Sequence, residues 1–162
     1  MTRKQIIPAA WQEGHDHSDC VARALSAAEE ICKKKGARLT QLRQRVLELV
    51  WRSHKPVRAY ALLDEIKMEN KSAAPPTVYR ALDFLMEQGL VHRIQSLNAY
   101  VGCTTPGHAH KGVFLICNDC GEALEIADGS VARSINRFAN DLGFQLSTHW
   151  VEAAGSCPGC QS

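Results

Sequence analysis

The sequence predicts an α+β protein composed of two small domains of different character. Apolar residues recur at helical spacing through the first half of the chain, and two strand-like segments flank a turn near its middle. Two Cys-x-x-Cys pairs occur only in the second half. We place a flexible N-terminal arm at residues 1–18, the first domain at residues 19–103 and the second at residues 104–162.

Composition and charge narrow the class of protein. The chain has 45% apolar and 22% charged residues, a balance typical of soluble globular proteins. No apolar run is long enough to span a membrane and no signal peptide begins the chain, so we expect a cytoplasmic protein with reduced cysteines. Residues 19–95 contain 14 Lys and Arg against 9 Asp and Glu (+5), whereas residues 96–162 contain 3 against 6 (−3). The basic half is suited to contact a polyanion.

Periodicity and end signals predict four helices in the first domain. Ser18 or Asp19 is a suitable N-cap for the first helix and Thr40 for the second, whereas Pro75 and Pro76 introduce the fourth. Two strands then form a hairpin, and helices followed by a hairpin constitute a winged helix-turn-helix domain. The expected helices span residues 19–35, 41–54, 59–69 and 77–88, and the expected strands span residues 90–94 and 99–103.

The second domain has an α/β pattern of short strands and one helix. Two strands surround the first Cys-x-x-Cys pair, a helix capped by Ser130 follows, and a last strand leads to the second pair. The helix has its apolar residues on one face. The expected strands span residues 113–116, 123–127 and 145–153, and the apolar helix positions are Val131, Ile135, Phe138 and Leu142.

The two Cys-x-x-Cys pairs predict a structural metal site. Four thiolates without an open position suit tetrahedral zinc, and the 36 residues between the pairs require a strand-helix-strand excursion to bring them together. A thioredoxin-like dithiol is the alternative for one pair, although no βαβ pattern surrounds it, and an iron–sulfur cluster is the alternative for all four. The predicted structural zinc ligands are Cys117, Cys120, Cys157 and Cys160.

Several motifs in a fixed order resemble those of the ferric uptake regulator superfamily, and most closely its zinc uptake regulator branch. They are Arg38-Leu39-Thr40, then Pro-Pro-Thr-Val-Tyr-Arg-Ala-Leu-Asp-Phe-Leu at residues 75–85, then His108-x-His110-x6-Cys117-x-x-Cys120-Gly121. The resemblance covers residues 20–160. It implies a homodimeric repressor of zinc uptake genes that binds AT-rich palindromic operators in double-stranded DNA, with zinc as corepressor. The second domain is then the dimerisation domain.

The resemblance and helical spacing together indicate the residues that contact DNA. By resemblance, residues 77–88 form the recognition helix, with Tyr79 and Arg80 at contact positions and Tyr60 as a further contact. Spacing also leaves Thr77 and Phe84 outside the apolar stripe, near the end of a helix that would enter the major groove. Basic residues interpreted as phosphate contacts are Arg38, Arg43, Arg45, Arg58 and Lys71, with Arg93 on the wing.

The resemblance also implies a regulatory metal site between the domains, with ligands His92, Cys103, His110 and Glu125. The thiolate favours zinc, and the iron branch typically has His-His-Asp-His where this chain has only His108-Ala109-His110. We therefore expect two zinc ions per monomer, one structural and one regulatory. Strand alternation places Glu125 on the face that we expect to be open. Candidate further ligands are His108 and His149.

Three ligand-type residues near the N-terminus, His15, His17 and Cys20, allow two interpretations. They could form another metal site, or they could be a chance cluster on a disordered arm, which is the interpretation we favour. Cys32 lies on the apolar stripe of the first helix and is expected in the core, and His54 is expected to interact with a helix C-terminus.

Two other functions are compatible with parts of the pattern. One is an iron- or peroxide-responsive regulator of the same fold, in the latter case with Cys103 or a Cys-x-x-Cys pair as the oxidised group. The other, of a different class, is a zinc hydrolase with His92 and His110 as ligands and Glu125 as base. The four candidate ligands leave no vacant position, so we expect neither enzymatic activity nor a small-molecule substrate, and no membrane partner.

Overall fold

The computed structural model describes residues 16–107, 112–126 and 129–161. It confirms the α+β fold class, because four helices and a two-stranded hairpin precede a three-stranded sheet that carries one further helix. The helices are α1 (His17–Lys34), α2 (Gln41–Trp51), α3 (Ala59–Glu69), α4 (Pro75–Glu87) and α5 (Ser130–Asp141). The strands are β1 (Val91–Ile94), β2 (Ala99–Gly102), β3 (Val113–Cys117), β4 (Ala123–Ile126) and β5 (Val151–Gly155).

Local capping explains where α1 and α2 begin. The side chain of Thr40 accepts a hydrogen bond from the N–H of Arg43, as the sequence predicted. Asp16, rather than Ser18 or Asp19, caps α1 by accepting from the N–H of Ser18 at 2.8 Å. Helix α1 therefore begins inside the segment predicted to be an arm. Residues 1–15, the rest of that segment, lie outside the described part of the chain.

The core of the first domain is formed by the apolar stripes of α2, α3 and α4. Val46, Leu47, Leu82 and Leu85 are fully buried, and each such side chain stabilises the fold by about 1.5–3 kcal/mol through its removal from water. Cys32 is 2% exposed and belongs to this core, as expected. The packing of α2 against α4 holds α4 with its opposite face toward solvent.

The hairpin of β1 and β2 contacts both domains. Val57, in the connection between α2 and α3, exchanges two backbone hydrogen bonds with Tyr100 of β2. On the other side, Ile94 and Val101 of the hairpin pack with Phe114 and Ile116 of β3 in a second apolar cluster. This cluster couples the wing to the sheet of the second domain.

The second domain is a mixed sheet in the order β4-β3-β5. Strand β3 pairs antiparallel with β4 and parallel with β5, where Cys117 lies opposite Gly155. Strand β5 begins six residues later than the sequence predicted, at Val151. In the single chain, large apolar side chains at the C-terminal end of α5 are exposed, since Phe138 is 59% exposed and Leu142, directly after the helix, is 83% exposed. Within the described ranges, every helix is too short or too polar to span a bilayer.

Candidate metal centres and nucleic-acid interface

The four cysteines of the two Cys-x-x-Cys pairs converge at one edge of the sheet. Strands β3 and β5 are parallel neighbours, so the turns that follow them lie side by side. The four sulfur atoms lie within 4.8 Å of one another, with Cys120 and Cys157 3.9 Å apart. Four thiols at such separations are the donor set that tetrahedral zinc takes. None of the seven cysteines, all of which are described, forms a disulfide.

The protonation behaviour of these thiols also fits a bound cation. Backbone N–H groups of Cys120 and Cys157 lower the pKa of Cys117 to about 6, and the N–H of Cys157 lies 3.3 Å from that sulfur. The neighbouring thiol of Cys157 and burial raise the pKa of Cys160 to about 12. The protein alone therefore stabilises one thiolate but not four, whereas a divalent cation would stabilise the complete set.

A second cluster joins the wing to the sheet of the second domain. His92 lies on β1, Cys103 directly follows β2, and Glu125 lies on β4. One potential ligand atom from each of the three side chains lies within 4.8 Å of the others. The N–H of Cys103 donates to the carbonyl of Leu90 at 2.9 Å, which holds this residue against the start of β1. Three of the four predicted regulatory ligands thus come together from three different segments.

The carboxylate of Glu125 contacts two other residues at this cluster. Its carboxylate lies 2.9 Å from Nε2 of His92 and accepts hydrogen bonds from the N–H and the hydroxyl of Thr104, both at 2.8 Å. Burial by itself raises the pKa of Glu125, but the contacts with His92 and Thr104 outweigh it and lower the pKa to about 2. The expectation that Glu125 faces an open surface is wrong, because its residue is 8% exposed and faces the junction between the domains.

Cys103 is 2% exposed, and its surroundings disfavour a thiolate when no cation is present. Burial, followed by the charge of Glu125, raises the pKa of Cys103 to about 12. The thiolate is the form that attacks peroxides, so a thiol with this pKa is a poor peroxide sensor. A zinc ion would displace the proton and use the sulfur as a ligand.

The other predicted ligands stand apart from this cluster or cannot be located. His108 and His110 lie outside the described residues. His149 precedes β5 and lines a cleft of about 320 Å³ together with His92 and Glu152. His149 is not in the group of ligand atoms formed by His92, Cys103 and Glu125.

The exposed side of α4 carries the residues predicted to contact DNA. Tyr79 is 37% exposed and Arg80 is exposed, and Arg80 forms no ion pair within the described part of the chain. Thr77 is half-buried in the first turn of α4, and Tyr60 near the start of α3 is 64% exposed. These four side chains remain predicted contacts, and their exposure is compatible with that role.

Three basic and aromatic residues near this surface have internal partners. Phe84 is partly buried beneath the guanidinium of Arg43, which lies 3.5 Å from the ring centroid. Arg45 is bound to the carboxylates of Glu48 and Glu69, so the described conformation does not support its interpretation as a phosphate contact.

Sequence reasoning missed three features of these sites. Thr104 fixes the carboxylate of Glu125, and its position next to Cys103 is the one signal that pointed to it. Glu152 on β5 accepts the N–H groups of Gln95 at 2.6 Å and Ser96 at 3.0 Å, a link from wing to sheet that no local pattern indicated. The third is the approach of His54 to His17 and Cys20, two residues that the sequence offered as candidate metal ligands without this partner.

The fold and these sites define a class, namely two-domain winged-helix proteins with clustered metal-ligand side chains. The ferric uptake regulator family model matches residues 34–154. The zinc uptake regulation protein of Escherichia coli (strain K12) is 40% identical over 137 residues, which cover 84% of this chain and 80% of that protein. The chain therefore belongs to the ferric uptake regulator family, and it is a regulator rather than an enzyme.

Solved structures of similar proteins extend the comparison. A zinc uptake regulator complexed with zinc and DNA has 39% identity and a TM-score of 0.81, with 86% of this chain and 94% of that chain covered. Holo XcZur has 42% identity and a TM-score of 0.78, covering 90% and 98%. Apo XcZur, at 43% identity and 89% and 99% coverage, reaches a TM-score of only 0.51. The described arrangement thus resembles the holo form more than the apo form.

Proposed function

We propose that this protein is a zinc-responsive repressor whose regulatory zinc joins the DNA-binding domain to the second domain. The observation that carries the proposal is the convergence of His92, Cys103 and Glu125 from the wing, the connection after it and the second sheet. We assign His110 as the fourth ligand. A set of two imidazoles, one thiolate and one carboxylate is suited to tetrahedral zinc.

In this proposal each monomer binds two zinc ions, and the second ion is structural. The cluster of Cys117, Cys120, Cys157 and Cys160 supports it, since these residues follow two adjacent strands and all four are sulfur ligands. In a domain with a small core of its own, such an ion contributes directly to folding. The regulatory ion would then be the exchangeable one.

DNA is the proposed macromolecular partner. Tyr79 and Arg80 on α4, with Thr77 and Tyr60 beside them, form an exposed surface on the basic half of the chain. A similar protein has been solved with both zinc and DNA. By family resemblance, the target is an AT-rich palindromic operator of zinc uptake genes, and a protein with that target acts in the cytoplasm, where the DNA is.

A homodimer matches both a palindromic operator and the surface of the second domain. Phe138 and Leu142 leave an apolar face of α5 exposed in the single chain, and Phe144 and Trp150 are 63% and 62% exposed in the segment that follows. Large exposed apolar side chains of this kind are typical of an interface that a second copy covers.

The proposed mechanism is a restriction of domain orientation. His92 moves with the wing and Glu125 with the second sheet, so coordination by both residues allows only a narrow range of arrangements. Two DNA-binding domains held at one spacing can occupy both half-sites of a palindrome. To shift such an equilibrium from 1:99 to 99:1 requires about 5.5 kcal/mol of differential zinc affinity.

The decisive experiment is a DNA-binding titration of the full-length protein at buffered free zinc, with iron and manganese as comparisons. We expect operator binding to follow zinc, and Cys103→Ser to remove this response while the dimer stays folded. Cys32→Ser, which changes a thiol outside the cluster, is the matched control. Equal operator affinity of the wild type before and after removal of the exchangeable zinc would refute the proposal.

A further inference from the structure

A third group of ligand-type side chains lies outside the two clusters assigned above. His17 and Cys20 are one helical turn apart at the start of α1, and both approach His54 in the connection that follows α2. One ligand atom from each residue lies within 4.8 Å of the others, and the two imidazole centroids are 5.0 Å apart. Cys20 is 6% exposed, so the group is partly enclosed.

The backbone holds these three residues in place. Residues separated by three positions in a helix share one face, which directs His17 and Cys20 to the same side of α1. The carbonyl of His54 accepts a hydrogen bond from the N–H of Ala123 on β4 at 3.1 Å. The cluster therefore does not lie on a disordered arm, as the sequence suggested, but where α1, the α2–α3 connection and β4 meet.

The chemistry of the group suits zinc. Two imidazoles and one thiolate provide two nitrogen donors and one sulfur donor, with zinc distances of about 2.0–2.1 Å to nitrogen and about 2.3 Å to sulfur. The three ligand atoms already lie within 4.8 Å of one another, so one ion between them could reach all three. The sulfur of Cys20 accepts a long hydrogen bond of 3.8 Å from the guanidinium of Arg23, so an ion bound there would lie near a positive charge.

The group is distinct from the proposed regulatory site but lies beside it. No ligand is shared, yet Cys20, His54, Cys103 and Glu125 all line one cleft of about 510 Å³. An ion bound by the third group would fasten the start of α1 to a connection that contacts the second domain. Zinc at this position would thus act on the same junction as the regulatory ion.

We propose that His17, Cys20 and His54 form a third zinc site, with three protein ligands and a fourth position for water. With one protein ligand fewer than the cluster of four cysteines, and a guanidinium close by, the site binds zinc more weakly. It fills at higher free zinc than the other two sites.

The test is a zinc titration of the full-length protein against a chromophoric chelator, with the bound metal counted per chain. We expect a third, weak equivalent in the wild type, lost in Cys20→Ala and retained in Cys32→Ala, a matched change on the same helix. Far-ultraviolet circular dichroism verifies that both variants are folded. His17→Gln, at a half-exposed side chain, must lose the same equivalent and serves if Cys20→Ala does not fold.

Cobalt provides a second readout, since a thiolate ligand adds a near-ultraviolet charge-transfer band. That band should weaken in Cys20→Ala by one thiolate equivalent and remain unchanged in Cys32→Ala. Retention of every zinc equivalent in both Cys20→Ala and His17→Gln, or an equal loss in Cys32→Ala, would overturn the third site. Zinc retention in Cys103→Ala contradicts the regulatory site instead, so the two failures are distinguishable.

Discussion

At the scale of single residues, the neighbours of Cys103 determine its position between the two domains. Thr104 binds the carboxylate of Glu125 through its N–H and its hydroxyl, which positions one ligand beside the next. Gly102 lies directly against the indole of Trp51 at the end of α2. The residues on either side of Cys103 therefore join it to the first domain and to the second.

Gly102→Ala should destabilise the protein. A Cβ atom there would overlap the indole ring of Trp51, so either the ring or the strand must move, at a cost of about 1–3 kcal/mol. Denaturant unfolding of the zinc-loaded protein measures this change. Gly155→Ala is the control, because a Cβ at Gly155 has nothing within 4 Å. Equal unfolding midpoints for the two variants would contradict the close approach described here.

Cys120→Ser should damage the fold of the second domain rather than the response to zinc alone. Its sulfur belongs to the cluster of four thiols, and removal of one ligand from a closed zinc site weakens a bond set that supports folding. We expect loss of the tightly bound zinc and a lower thermal midpoint, measured by metal analysis and calorimetry. A variant with normal zinc content and stability would show that the cluster is not a structural site.

At the scale of elements, helix α4 combines a buried face with an exposed one. Val78, Ala81 and Leu82 are packed into the core, whereas Tyr79 and Arg80 face solvent. An α-helix fixed in this way can enter a groove without losing its packing. DNA contacts are therefore separable from stability on this helix.

Arg80→Ala should weaken specific operator binding by about 1–3 kcal/mol and leave both assigned metal sites filled. Arg45→Ala is a matched control, because Arg45 is already bound to Glu48 and Glu69. Fluorescence anisotropy with operator and scrambled DNA measures the effect at zinc saturation. A larger loss of operator affinity in Arg45→Ala than in Arg80→Ala would show that the interface lies elsewhere on the protein.

Glu152 links β5 to the tip of the wing, and this link should depend on pH. Burial raises the pKa of Glu152, but hydrogen bonds from Ser96 and Gln95 lower it further than burial raises it. Since the folded pKa is below the unfolded one, the stabilisation is present above the unfolded pKa and is lost as pH falls through the folded pKa.

The variant Glu152→Gln tests this link. We expect lower stability than the wild type near neutral pH, because an amide is a weaker acceptor for the two N–H groups. The difference should shrink as pH falls below about 4.3, the ordinary pKa of glutamate. Urea unfolding at several pH values measures it. A difference that is independent of pH would mean that the carboxylate charge has no part in the contact.

The elements that the sequence predicted best are those with local signals. Thr40 capped α2 as expected, and α3 has the expected bounds of Ala59–Glu69, because caps and apolar spacing are encoded within each helix. The start of β5 was placed too early, since it depends on pairing with β3, which is distant in sequence. The approach of His54 to His17 is likewise a tertiary contact without a local signal.

The candidate site was likewise predictable where motifs carry the signal and unpredictable where distant segments meet. His92, Cys103 and Glu125 were named from family motifs, and they meet in the structure although no local pattern states which residues are neighbours. The burial of Glu125 was not predicted, because strand alternation separates two faces but does not reveal which one another domain covers. The principal errors therefore concern contacts between segments that are distant in the sequence.

At the scale of the whole molecule, the apolar face of α5 indicates how two copies associate. Leu142→Glu should shift the dimer toward monomer at micromolar concentration, because it places a charge on a face that a second copy would bury. Met68→Glu is the control, since Met68 is also exposed, at 73%, but lies on α3. Sedimentation equilibrium distinguishes them. Dissociation by both variants or by neither would exclude the α5 face as the specific interface.

The contact of 2.9 Å between Nε2 of His92 and the carboxylate of Glu125 has a consequence for zinc sensitivity. This contact already bridges the wing and the sheet, so an ion that binds both side chains must replace it. Breaking this contact consumes part of the coordination free energy, so half-saturation of the site requires a higher free zinc concentration. The proposed regulatory site would therefore fill at a higher free zinc concentration than the same ligands would without this contact.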